Sequence, residues 1–141
     1  MTPVLLDTGC IVALLDRSER HHRACVEAVA EVGGLLITCE AVIAEACWLL
    51  RGIRGAPDAV LKNVEEGVFS IPSPLSSIAG AVRMLVKKYA KLPMDLADAC
   101  LVALADEFDT GRVLTLDSDF RIYRWRRTRR FELLVEAPEL R

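Results

Sequence analysis

The sequence predicts an α/β protein, a three-layer α/β/α sandwich with a mostly parallel central sheet. Short apolar runs of strand type alternate with longer helical stretches, which is the pattern of right-handed crossover units covered by helices on both faces. The chain has 141 residues, 52% hydrophobic and 27% charged, enough apolar material for one packed core and too little length for a second. No linker, internal repeat or low-complexity tract interrupts it, so a single domain over residues 1–141 is expected.

Val4-Leu5-Leu6-Asp7 is an apolar run of strand type, and Thr8 opens a helical stretch to Leu15. A charged loop over residues 16–22 leads to a helix over 23–32, with Ala24, Ala28 and Val32 on one side and Gly33-Gly34 as its stop. Residues 35–38 form the second strand, 40–50 an apolar helix ending near Gly52, and 56–66 a further helix. A short strand over 68–71 precedes the helix-breaking Pro72-Ser73-Pro74. Two helices follow, over 76–88 and 96–108. The next strand, 113–116, is entered from a Thr110-Gly111 turn, and 132–135 forms a last edge strand.

Composition narrows the function classes. A formal net charge of −2 denies the chain a global positive field, so any nucleic-acid site must be local. No basic segment leads into a secretory apolar region, and runs such as 10–15 fall far short of a bilayer span, so a soluble cytoplasmic protein without membrane association is expected. Five cysteines, odd in number and without a Cys-x-x-Cys pair, read as buried reduced thiols. His21 and His22 are adjacent and badly spaced for zinc, and read as loop or helix-start polarity.

In open parallel sheets the ligand crevice lies beyond the carboxyl ends of the strands, where strand order reverses. Asp7 stands at such an end, although it or Thr8 could equally cap the next helix. Glu45 has Trp48 and Leu49 at i+3 and i+4 and Val42 and Ala41 at i−3 and i−4, so it reads as a carboxylate on an apolar helix face. Asp98 repeats the pattern ahead of Leu101 and Val102, while Asp95 has the spacing of an N-cap for the same helix. Asp117 closes the run Val113-Leu114-Thr115-Leu116, and Asp119 follows two residues later. Singly these are cap and turn residues. Brought together they would repel, and oxygen-only clusters of that kind suit Mg²⁺ or Mn²⁺, which lowers the pKa of a bound water and stabilises charge on a phosphoryl group. Gly-x-Ser-x-Gly, Walker and Gly-x-Gly-x-x-Gly motifs are missing, and a phosphohydrolase aspartate two residues after Asp7 is replaced by Gly9.

A local positive field does exist. Arg121, Arg124, Arg126, Arg127, Arg129 and Arg130 crowd a stretch that also holds Tyr123, Trp125 and Phe131. Guanidinium groups bind phosphates and aromatic faces stack unpaired bases, so Arg121, Arg124, Arg126 and Arg127 are candidate RNA contacts. The alternatives are a solvated loop whose Trp125 and Phe131 enter the core, or a strip covered by an acidic peptide.

Taken together, these segments resemble the PIN-domain family, and within it the VapC-type toxins of toxin–antitoxin pairs. The likeness spans essentially the whole chain: Val4-Leu5-Leu6-Asp7-Thr8, Val42-Ile43-Ala44-Glu45, the Asp-Ala helix from Leu96 to Ala105, and Leu114-Thr115-Leu116-Asp117-Ser118-Asp119-Phe120. The resemblance implies a Mg²⁺- or Mn²⁺-dependent endoribonuclease, usually dimeric, with Asp7, Glu45, Asp98 and Asp117 as its acidic quartet. It makes Asp7 and Asp98 the direct metal ligands, with Thr8, Thr115 and Asp119 assisting. It further implies RNA as substrate and a small antitoxin as partner. The competing reading is a non-catalytic RNA- or protein-binding module whose carboxylates serve only as caps.

Overall fold

The computed structural model describes residues 2–135; the single-domain expectation over 1–141 extends past these at both ends. Apolar Val4–Leu6 forms strand β1, with all three side chains buried. Thr8–Leu15 forms helix α1 and His22–Val32 helix α2, which ends where Gly33 turns left-handed at φ 57°. The buried positions of α2 are Cys25 and Ala28; Ala24 and Val32 sit half-buried beside them. Strand β2 is Leu36–Ile37, helix α3 Glu40–Leu49, helix α4 Ala56–Glu65 and strand β3 Phe69–Ser70. Helices α5, Leu75–Lys88, and α6, Leu96–Phe108, precede strand β4, Arg112–Leu114.

The expected α/β/α architecture is present. Strands run in the order β3-β2-β1-β4-β7, where β7 is Glu132–Leu133, and every neighbouring pair is parallel. The chain steps outward from β1 to β3 on one side, then returns to place β4 and β7 on the other. Strand order therefore reverses between β1 and β4, and the crevice the fold provides opens beyond their carboxyl ends.

The strands are shorter than their apolar runs. Leu35 is 51% exposed and falls outside β2, and β4 stops at Leu114, so Thr115 and Asp117 lie in the segment after the strand rather than within it. An apolar run reports burial, whereas strand limits are set by how far neighbouring ladders overlap.

The return from β4 to β7 contains a two-stranded antiparallel hairpin absent from the sequence reading: β5, Arg124–Trp125, paired with β6, Arg129–Arg130. Its turn places Arg126 (φ 47°) and Arg127 (φ 69°) in the left-handed region without the Gly, Asn or Asp that normally announces such a turn. A short 3₁₀ helix, Ser118–Arg121, connects β4 to it.

Helix α6 is the structural centre. Nine consecutive residues from Ala97 to Ala105 are buried, so the helix is enclosed on all sides, and it packs against α5, α3 and β1. All five cysteines are free thiols, four buried and Cys47 half-buried, in keeping with their reading as core filler. Among the described residues, no helix is long and apolar enough to cross a membrane.

Candidate active site

The four carboxylates singled out in the sequence border one cleft of about 480 Å³ at the β1–β4 switch point, together with Thr8, Leu49, Asp95, Leu116 and Ser118. Among the described residues, five acidic side chains line it and no Lys, Arg or His does.

Asp7 follows β1 and is the N-cap of α1, with Oδ1 accepting from the Thr8 amide at 2.8 Å and Oδ2 from the Thr115 hydroxyl at 2.6 Å. The two sequence alternatives, cap and cleft residue, are both realised in one side chain. Thr115 in turn accepts from the Asp117 amide at 3.0 Å, so one hydroxyl couples the segment after β4 to the carboxylate after β1. Asp117 caps the 3₁₀ helix through Oδ1 and the Asp119 amide (2.9 Å). Asp119 is absent from the cleft lining; its amide supports Asp117.

Asp98 sits in the first turn of α6 and is only 7% exposed, as the spacing of its apolar neighbours predicted. Asp95 is the N-cap of that helix and accepts from the Asp98 amide at 2.8 Å, yet it also reaches the cleft as a fifth carboxylate. The Tyr123 hydroxyl donates to Asp98 Oδ2 at 2.9 Å. Tyr123 is fully buried and packs edge-on against Tyr89 and Phe120. The sequence places Tyr123 only among the aromatics of the arginine strip, and no local signal links it to a helix 25 residues earlier.

Glu45 departs from the expectation of a buried carboxylate. It is exposed, and so are Trp48 and Leu49 on the same side of α3. The buried positions of this helix are Val42, Ile43 and Ala46, so of the apolar neighbours that suggested burial Val42 enters the core while Trp48 and Leu49 face solvent. Glu45 joins the cleft through Oε1, which accepts from the Thr8 hydroxyl at 2.8 Å.

Burial and mutual repulsion set the electrostatics. Burial pushes Asp7 up to about 6, offset in part by the Thr115 and Thr8 donors and reinforced by the Asp117 and Asp95 charges. Burial pushes Asp98 up to about 8, with Asp7, Asp95 and Asp117 raising it further and Tyr123 holding it down. Asp117 is raised for the same reasons, burial first. These carboxylates share a crevice with no facing cation, a donor set of oxygen atoms suited to a hard divalent ion. Their arrangement is open rather than a closed cage. Among the described residues, no three His, Cys, Asp or Glu side chains gather closely enough to enclose an ion, and the four quartet carboxylates each accept a hydrogen bond from a protein donor.

The arginine strip resolves into separate roles. Arg124 Nη1 donates to the carbonyls of Arg121, Ile122 and Tyr123, each at 2.9 Å. Arg126 binds Asp106 through its amide (2.6 Å) and Asp109 through its guanidinium (3.4 Å). Arg121 and Arg127 are exposed, and none of the four lines the carboxylate cleft. Tyr123, Trp125 and Phe131 are buried, so of the alternatives for these aromatics the core reading holds. His22 Nδ1 contacts the Ala13 carbonyl (2.6 Å) and His21 contacts Arg20 (3.3 Å), both away from the cleft lining.

The profile of the PIN domain family matches residues 4–125, a span that includes every carboxylate of the cleft. The chain belongs to the PIN-domain family. As a PIN domain it is 29% identical over 116 residues to ribonuclease VapC26 of Mycobacterium tuberculosis, across 81% of this chain and 86% of that protein. The crystal structure of Mycobacterium tuberculosis VapC20, described as a sarcin-ricin loop cleaving toxin, matches it with a TM-score of 0.78 at 17% identity. That match covers 89% of this chain and 98% of VapC20, and at this identity the likeness is one of fold.

Proposed function

We propose that this PIN domain is a Mg²⁺- or Mn²⁺-dependent endoribonuclease, and the toxin of a toxin–antitoxin pair. The observation that carries the reading is the cleft at the β1–β4 switch point, lined among the described residues by five carboxylates and no basic side chain. Its likeness to ribonuclease VapC26 supports RNA as the substrate class.

In this reading Asp7 and Asp98 bind the cation, and Glu45 and Asp117 complete the acidic quartet. A divalent ion supplies neutralisation of the clustered charge and a more acidic water at neutral pH. The protein supplies the positioning. Thr115 fixes Asp7 against Asp117, Tyr123 fixes Asp98, and Thr8 anchors Glu45 of α3 to the first turn of α1. An antitoxin partner, a homodimer, a cytoplasmic setting and a single domain over 1–141 belong to the same proposal.

The test is cleavage of RNA by the purified chain, freed of any partner, in Mg²⁺ or Mn²⁺. Activity is expected to vanish with EDTA and with Asp7→Asn. The rival reading, a non-catalytic RNA- or protein-binding module, is favoured by the capping roles of Asp7, Asp95 and Asp117. It predicts RNA binding but no cleavage in either metal, with the aspartate substitutions leaving that binding intact.

A further inference from the structure

All eight aromatic side chains of the chain lie within the described residues, and only one of them, Trp48, is exposed. It stands 63% open to solvent on α3, three residues after Glu45 and next to Leu49, which is itself 53% exposed and lines the carboxylate cleft. Residues at i, i+3 and i+4 share one side of a helix, so the indole lies at the rim of that cleft. Leaving so large an apolar surface in water is unfavourable unless something covers it.

The surroundings of Trp48 indicate what that is. The Arg51 guanidinium lies 3.7 Å from the centroid of the Trp48 ring and donates to the Trp48 carbonyl at 2.8 Å, so one face of the indole is already stacked and the cation is held in place. Residues 46–57 contain Arg51 and Arg54, both exposed, and no acidic residue. A flat apolar face beside the held Arg51 cation, with exposed Arg54 three residues further along the chain, is complementary to an unpaired base and its flanking phosphate. The arginine hairpin offers no such combination, because its aromatics are buried and Arg124 and Arg126 are engaged within the protein.

We propose that Trp48 and Arg51 form a stacking platform for one base of single-stranded RNA at the rim of the cleft, with Arg51 and Arg54 receiving the adjoining phosphates. This rests on the ribonuclease reading and adds the element that positions the strand. The platform acts on substrate binding and contributes nothing to proton or metal chemistry.

The test separates binding from cleavage. In EDTA, a fluorescein-labelled single-stranded RNA of about 12 nucleotides is titrated while its anisotropy and the tryptophan emission are followed. RNA is expected to quench the emission of the native chain; in Trp48→Phe the quenching disappears while the affinity is largely kept. Trp48→Ala is expected to weaken binding roughly tenfold, the scale of one lost base stack, and in Mn²⁺ to raise KM by a similar factor with kcat little changed. Unchanged affinity and KM in Trp48→Ala would overturn the proposal. So would a Trp48 emission already shielded from iodide without RNA, accompanied by loss of a dimer in Trp48→Ala, which would make this face an interface between copies. Quenching and weakened binding without any cleavage by the native chain would sink the ribonuclease reading and leave the platform standing.

Discussion

Replacing Asp98 by Asn should stabilise the protein while abolishing the proposed activity, and only at neutral to alkaline pH. Asp98 is 7% exposed within the fully buried stretch of α6, beside Asp7, Asp95 and Asp117. Its carboxyl is pushed up to about 8, against an unfolded-chain value near 4. Between those values the folded protein keeps a proton that the unfolded chain has lost, so folding weakens as pH rises from about 4 to about 8. The amide is nearly isosteric, can still accept from the Tyr123 hydroxyl, and carries no charge. With allowance for screening by water in the open cleft, it should relieve about 2 kcal/mol near pH 8 and almost nothing near pH 4. Urea denaturation of both proteins in EDTA across that range, followed by far-UV circular dichroism, measures this directly. A gain that is equal at both ends of the range, or a variant less stable at the alkaline end, would refute the assignment of Asp98 as a buried carboxylate strained by its neighbours.

Thr115→Val removes the 2.6 Å donor to buried Asp7 and the acceptor for the Asp117 amide; denaturation should show a loss of about 2 kcal/mol, and the pH–rate profile should move to higher pH as Asp7 rises. Gly111→Ala places a Cβ against Trp125 Nε1 and Cε2, in an indole already held by the Arg130 carbonyl at 3.2 Å. About 3 kcal/mol of destabilisation, with loss of the near-UV signal of Trp125, is expected, and a neutral substitution would mean that the hairpin yields freely. Mn²⁺ should raise the melting temperature, and more near pH 8 than near pH 5, because the Asp7 and Asp98 protons compete with it; a pH-independent shift would place the ion elsewhere.

The legible parts of the molecule were those where a local pattern has one physical outcome. Leu96 to Phe108 reads as a helix, and Asp98 among Ala97, Leu101 and Val102 reads as buried, because an enclosed helix leaves few solvent-facing positions. Asp95 reads as a cap because its i+3 spacing to Asp98 places the side chain at a free amide. Glu45 shows the limit. Its flanking Val42, Trp48 and Leu49 look the same in sequence, yet Val42 is fully buried and the other two are exposed, a division made by how α3 lies against its neighbours. The arginine strip shows another limit: its turn uses arginines in left-handed conformations, which no turn residue announces, and only the fold decides that its aromatics serve the core.

Periodicity and chain connectivity are local properties, so the sequence alone suffices for the helices and strands of the parallel sheet, though not for the β5–β6 hairpin, and for the placement of Asp7 after a strand and Asp98 on a buried helix. Only the tertiary structure decided the partners. The Thr115 hydroxyl on Asp7, the Tyr123 hydroxyl on Asp98 and the Thr8 hydroxyl on Glu45 join residues 108, 25 and 37 positions apart. Such pairs arise from how the layers stack, and no local spacing encodes them. The same stacking buries Trp125 and exposes Trp48, the contrast on which the proposed base contact at the rim of the carboxylate cleft rests.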